Sequence, residues 1–286
     1  MNRNLSSLQS QLAGLDVGDS NPVRVMAVLN VSPESFYQGS VQVHREQIIA
    51  QAQAMVDAGA NIIDVGAMST APYLKTAISA EEESERLSRA IAAIAPSVSI
   101  PISADTKRAA PARAALAAGA TIINDVGGLK YDQHMAEFVA NTSAGLIIMA
   151  SEPAPQPGSP MVRIRAALQE SLSIADHAGI PREHIVLDPG IGFFRQPEIL
   201  WHEWDRVVLQ ELASLRELGF PLLVGVSRKS FIGKVLDQPN AADRLIGSLT
   251  CAAIAVYNGA HVIRAHDVRE TVEAVRMAEW LQKTRP

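Results

Sequence analysis

A glycine followed by four or five mostly apolar residues recurs six times along the chain. The copies begin at Gly59, Gly119, Gly145, Gly179, Gly219 and Gly259, and run to Asp64, Asn124, Met149, Asp188, Gly225 and Arg264. Two further apolar runs, Val25 to Asn30 and Ile100 to Asp105, lack the leading glycine. A glycine that closes a helix, followed at once by a short apolar run, reads as a helix-to-buried-strand step. Eight such steps predict strands over 24–29, 61–65, 100–104, 121–124, 145–149, 185–187, 222–225 and 261–264.

The intervening segments carry helical patterns near 44–58, 109–118, 132–141, 198–218 and 241–258, and from Val268 onward. Another helix starts behind Ser79, where Glu82 three residues on completes a capping-box pattern. The proline-rich loop 151–160 opens onto a further one. Strands alternating with helices imply parallel pairing, and near-continuous Val/Ile/Leu runs imply strands buried on both faces. Eight units between residues 24 and 286 fit a (β/α)8 TIM barrel, a parallel eight-stranded barrel with outer helices. An open doubly wound sheet is the alternative, but no glycine fingerprint follows the first strand. Residues 1–23 show no strong pattern and are expected to cover the barrel bottom or to stay partly loose. The chain therefore divides into an N-terminal extension, 1–23, and a barrel domain, 24–286.

Composition narrows the function classes. The 286 residues are 48% hydrophobic, enough for a sizeable core, and the net charge of -5 gives no basic footprint for nucleic acid. No apolar run reaches the roughly 18 residues of a membrane span, and the first residues lack the apolar stretch of a signal peptide. Cys251, the one cysteine, lies in an alanine-rich helical stretch and reads as a packed small residue rather than a nucleophile. A soluble cytoplasmic protein is expected.

In a barrel of this kind chemistry sits at the C-terminal ends of the strands. Those positions hold Asn30, Asp64, Asp105, Asn124, Asp188, the stretch Ser227 to Lys229, and Arg264 with His266. Each alone is readily an N-cap or turn residue. Converging on one rim, they supply acceptors and donors suited to a flat heterocycle with amino, amide and ring-nitrogen groups. Lys229, Arg264 and His266 follow the last two strands, where barrels frequently bind phosphate.

Seven strings then resemble, in order, the signatures of dihydropteroate synthases, the pterin-binding barrel family. They are Met26 to Phe36, Ile62 to Gly66 with Ser69-Thr70, and Ala104-Asp105-Thr106. They continue with Ile122 to Val126, Leu187 to Phe193, Gly225 to Gly233 and Arg264 to Val268. The resemblance implies a transferase of folate or related pterin biosynthesis. It would condense 6-hydroxymethyl-dihydropterin pyrophosphate with p-aminobenzoate and release pyrophosphate. By the same resemblance Asp105, Asn124, Asp188 and Lys229 line the pterin pocket, with Asp64 in support, Met149 against the ring and Thr70 on the second loop. Asn30 matches a Mg2+ position, Arg264 and His266 match pyrophosphate positions, and Ser230 stands near the aminobenzoate carboxylate. Lys229, Arg264 and His266 form the implied catalytic set, and a homodimer through outer helices is implied.

Several positions depart from the family pattern. Ala71 stands where an arginine is usual, and Gln38 where an aspartate is usual in the first loop. Met149-Ala150-Ser151 replaces Met-His-Met, and Phe194-Arg195 replaces glycine-lysine. Lys75 and Arg195 are candidate substitutes for the lost loop arginine. These departures leave open a modified aminobenzene as the second substrate. They also leave open a non-catalytic pterin-binding barrel and, on the same fold, a pterin-dependent methyltransferase.

Overall fold

The computed structural model describes residues 7–31, 41–67, 78–154, 156–194 and 200–282, with backbone alone for 41–44. Thr70, Gln38, Ala71, Lys75 and Arg195 lie outside the described residues, as does the whole stretch from Ser32 to Phe36.

The first described elements form a hairpin, β1 (Gln9–Leu12) and β2 (Leu15–Gly18), paired antiparallel. Eight parallel strands follow: β3 (Arg24–Asn30), β4 (Ile62–Gly66), β5 (Ile102–Asp105), β6 (Ile122–Asp125), β7 (Gly145–Met149), β8 (Ile185–Asp188), β9 (Leu223–Gly225) and β10 (Val262–Ala265). They pair in the order β8-β7-β6-β5-β4-β3-β10-β9. The ring closes where Leu187 bridges Leu222 and the Leu187 N–H donates to the Pro221 carbonyl at 3.0 Å. This is the eight-stranded parallel barrel that the apolar runs predict.

The outer ring comprises α1 (Val41–Asp57), α2 (Ala80–Ile94), α3 (Ala109–Ala117), α4 (Met135–Ala140), α5 (Pro160–Ala178), α6 (Trp201–Gln210), α7 (Ser230–Val235), α8 (Leu245–Tyr257) and α9 (Val268–Gln282). Outward-facing strand residues such as Ala27, Ile63, Ile123 and Leu187 pack against these helices in the main core. Inside the barrel, Met26, Ile62, Ile122, Val186, Leu223 and Val262 form a second cluster nearer the N-terminal ends of the strands. Leu12 and Val17 of the hairpin join that cluster from below. Asp19 fastens the hairpin: it accepts the Leu8 N–H at 2.8 Å, pairs bidentately with Arg216 at 2.8 Å, and meets His261 Nε2 at 3.1 Å.

Four sequence readings change in detail. Five of the six leading glycines close helices at positive φ, as Gly179 does for α5 at φ 82. Gly145 instead begins β7, and a Cβ there would sit 2.9 Å from Leu12 Cδ2, so its role is close approach to the hairpin. The helix predicted over 198–218 ends at Gln210, and Leu212–Leu218 continue as a 3-10 helix. Between β9 and α8 stands the short α7, and α8 is led in by a 3-10 turn, Ala241–Arg244, capped by Asn240. At the start of α2 only half the capping box forms. Ser79 Oγ accepts the Glu82 N–H at 3.2 Å, while the Glu82 carboxylate pairs with Arg86.

Candidate functional site

Side chains alternate along a strand, so every second residue of β3 to β10 faces the barrel interior. The register aligns Asn30 with Gly66, Gly66 with Asp105, Asp105 with Asn124, Met149 with Asp188, and Gly225 with Arg264. One step below this layer stand the buried Asp64 and Ser103, and nearer the N-terminal ends of the strands the interior is apolar. Gly66 and Gly225 keep the layer open. A Cβ at Gly66 would lie 3.7 Å from Asp105 Cβ, and one at Gly225 would lie 3.8 Å from Arg264 Cβ.

Arg264 organises the floor. Its Nε donates to Asp64 Oδ2 at 2.6 Å and its Nη2 to Asp105 Oδ2 at 2.8 Å. Asn124 Nδ2 donates to the same Asp64 oxygen at 3.1 Å. Asp64 is fully buried and Asp105 nearly so. Burial alone would pull the guanidinium down, but Asp64 and Asp105 together hold Arg264 above its ordinary range, a fixed cation. For Asp105 burial dominates and pushes its carboxyl up to about 7, with Arg264 opposing and Asp64 adding to the rise. Asp188 is likewise pushed up to about 6 by burial, against the Gly190 N–H that its Oδ1 accepts at 2.8 Å.

Among the described residues, Asp64 Oδ1, Asp105 Oδ1 and Asn124 Oδ1 are buried acceptors with no hydrogen-bond partner. Buried acceptors are costly to leave unpaired, so three of them on one rim describe a surface built for N–H donors from outside the chain.

The remaining residues line the walls. Met149 is buried beside Gly190, where a Cβ would meet its Cγ at 3.4 Å. Lys229 holds its ammonium 4.6 Å from the Phe193 ring centroid, and its stem passes close to Gly192. The Gly192 N–H donates to Asp205 Oδ1 at 2.8 Å, which anchors that wall to α6. Ser227 Oγ takes the His266 N–H at 3.2 Å and lies 3.0 Å from its Nδ1. Desolvation, then Arg264, lowers the His266 imidazole to about 4, so at neutral pH it is an uncharged donor or acceptor. Ser230 begins α7 and Asn30 stands exposed at the rim. Arg228, in the same basic string, turns away to a bidentate pair with Asp267 at 2.9 and 2.6 Å. It is a structural tie.

Two groupings escaped the sequence reading. Glu83, Thr106 and Arg108 form a buried network behind Asp105. Behind the Lys229 wall, Phe194 stacks on Trp204 at 4.7 Å, Arg163 lies 4.8 Å over Trp204, and Glu152 pairs with Arg163. Phe194, a departure from the family pattern, is therefore a packed residue. Cys251 is a packed residue too: burial raises its thiol to about 11, far from a nucleophile's range.

The pterin-binding enzyme family model matches residues 26–266, a span that includes every rim residue just described. The chain belongs to the pterin-binding enzyme family. Within it, the chain is similar to the dihydropteroate synthase of a Synechocystis species, 39% identical over 264 residues that cover 90% of this chain and 89% of the relative. The Escherichia coli K12 dihydropteroate synthase is 38% identical, with 95% of each chain covered. Among solved structures, Xanthomonas albilineans dihydropteroate synthase with 4-aminobenzoic acid superposes with a TM-score of 0.87 at 31% identity. That match covers 98% of this chain and 100% of the other. The family's barrel and this chain's barrel thus agree over nearly their whole length.

Proposed function

We propose that this pterin-binding family member is a dihydropteroate synthase of folate or related pterin biosynthesis. It condenses 6-hydroxymethyl-dihydropterin pyrophosphate with p-aminobenzoate or a modified aminobenzene and releases pyrophosphate. The three unpaired buried acceptors beside Arg264 support the reading most directly, because a pterin edge offers several N–H donors in one plane. In this reading Asp105, Asn124 and Asp188 bind the pterin, Asp64 holds Arg264 and Asn124 in place, and Met149 packs under the ring. Lys229 donates to a ring acceptor. Thr70 belongs to the second loop and completes the substrate-binding set.

The chemistry needs no protein nucleophile. The C–O bond to pyrophosphate breaks, the electron-rich ring supports the positive methylene carbon, and the amine nitrogen attacks it and loses a proton. Negative charge builds on the departing pyrophosphate, where Arg264 and His266 supply fixed donors. Asn30 offers one hard amide oxygen at the rim. Among the described residues no cluster of three acidic, histidine or cysteine side chains accompanies it. That donor set fits Mg2+ held chiefly by pyrophosphate and water, where the ion would neutralise leaving-group charge. Ser230 stands where the amine's carboxylate would be received.

The outer helices carry an apolar patch: Ile254 and Tyr257 on α8, and Met277, Trp280 and Leu281 on α9, are between 46% and 66% exposed. A patch of this kind on neighbouring helices supports a homodimer with a second copy of the chain. Trp280→Glu would yield monomers in sedimentation analysis, and an unchanged mass would reject that surface. No described helix is long and apolar enough to cross a membrane, and a cytoplasmic location accords with the substrates. Residues 24–286 would form the catalytic barrel, with 1–23 as its extension.

Turnover on the pterin pyrophosphate with Mg2+ and a panel of aminobenzenes tests the function. Product with stoichiometric pyrophosphate is expected, and the preferred amine identifies the second substrate. Tight pterin-pyrophosphate binding without product from any amine would instead mark a non-catalytic barrel. Tight, pyrophosphate-independent binding of a methylated pterin would point to methyl transfer.

A further inference from the structure

Glu83 is a charged residue in a core position. On α2 it shares the buried stripe of Leu87, Ile91 and Ile94, and its side chain is only 1% exposed. An apolar residue there would continue the stripe, and a buried carboxylate is costly unless its oxygens are engaged. Both are. Oε1 accepts from Thr106 Oγ1 at 2.5 Å, and Oε2 accepts from Arg108 Nη1 at 2.8 Å. Thr106 directly follows Asp105, donates its N–H to the Asn124 carbonyl at 3.1 Å, and takes the Arg108 N–H on its Oγ1 at 3.2 Å. Arg108 Nη1, which holds Glu83, also donates to the Ile78 carbonyl at 2.9 Å, tying in the approach to α2. One carboxylate thereby fixes the chain as it leaves β5, immediately beside the acid that Arg264 grips.

We propose that Glu83 is a positioning residue which, through Thr106, fixes where the Asp105 carboxylate stands at the pterin face. This rests on the assignment of Asp105 to pterin binding made above. The charge of Glu83 acts in the same place. Among the described residues, the charged groups that act on Asp105 are Asp64 from β4, Glu83 from α2, Lys229 at the start of α7 and Arg264 from β10. Burial is the largest influence and raises Asp105; Arg264 and Lys229 oppose it, while Asp64 and Glu83 add to it. Removing the Glu83 charge therefore lowers the proton affinity of Asp105. The acid limb of pterin binding then moves to lower pH, an effect that a purely structural brace would not have.

The test is titration of the full chain with pterin pyrophosphate and Mg2+ across a range of roughly pH 5.5 to 8.5, with folding followed by circular dichroism. Glu83→Gln is expected to weaken binding about fivefold to tenfold on the alkaline plateau and to shift the acid limb downward. Thr106→Val keeps the charge and is expected to weaken binding without moving the limb, while Thr106→Ser restores it. A folded Glu83→Gln protein with an unmoved limb overturns the proposal, and so does a Thr106→Val protein that binds like the parent. Should Glu83→Gln fail to fold, the Thr106 pair decides. Parent-like binding by Asp105→Asn overturns the assignment of Asp105 and this proposal with it. A clear Asp105→Asn defect without the Glu83 shift overturns this proposal alone.

Discussion

Replacing Arg264 by glutamine removes the one cation that, among the described residues, bonds both Asp64 and Asp105. Those contacts measure 2.6 and 2.8 Å, and the two carboxylates are 0% and 6% exposed. Breaking a buried ion pair by deleting one partner costs about 3 to 5 kcal/mol, because the remaining charge stays buried without compensation. Here part of the loss is relieved by proton uptake. Asp105 already sits near 7 with Arg264 pulling it down, so without the guanidinium it rises further and becomes neutral at neutral pH. A group whose folded pKa exceeds its unfolded value adds stability at low pH and loses it as pH rises. The deficit of Arg264→Gln relative to the parent should therefore be small near pH 5 and widen to about 3 kcal/mol near pH 8. Urea unfolding of both proteins at the two pH values measures it. Equal deficits at both pH values, or none above about 0.5 kcal/mol, would refute the floor described here.

Three further outcomes follow from other contacts. Asp188→Asn should weaken pterin-pyrophosphate binding by about tenfold and remove the component of the acid limb near pH 6, read by titration at several pH values. Phe194→Ala should cost about 3 kcal/mol by chemical denaturation, since the ring is 7% exposed and stacks on Trp204; loosening the Lys229 wall should also slow turnover. Asp19→Asn should cost about 1 kcal/mol at neutral pH, discounted because the carboxylate is part-exposed. Asp19 is held below its ordinary range: burial opposes this, but Arg216, the Leu8 N–H and His261 outweigh it. Its contribution is therefore present above about pH 4 and lost below it, so the two proteins should converge in acid.

The barrel and most of its floor were legible in the sequence for a simple reason. A parallel strand buried on both faces leaves a continuous apolar run, and the first polar residue at its C-terminal end falls on the rim. Asp64, Asp105, Asn124, Asp188 and Arg264 were found this way, and the structure brings Asp64, Asp105, Asn124 and Arg264 into one bonded group. The hairpin was not legible. Its turn is Ala13-Gly14 with φ of 52 and 83, and alanine is an unexpected occupant where Asn-Gly is the usual signal. Glu83 was hidden because it ends the run Glu81-Glu82-Glu83, which reads as acidic residues favouring a helix N-terminus. Its spacing of four from Leu87 was the signal available. The Phe194 stack joins residues ten positions apart, a spacing that neither strand nor helix periodicity announces.

The central claim is that unpaired buried acceptors around Arg264 recognise the donor edge of a pterin. Calorimetric titration of the parent chain with pterin pyrophosphate and Mg2+, repeated with an analogue lacking the exocyclic amino group, tests it most directly. Saturable binding of the pterin, weakened at least tenfold for the analogue, is expected. Equal affinity for the two compounds would contradict the account.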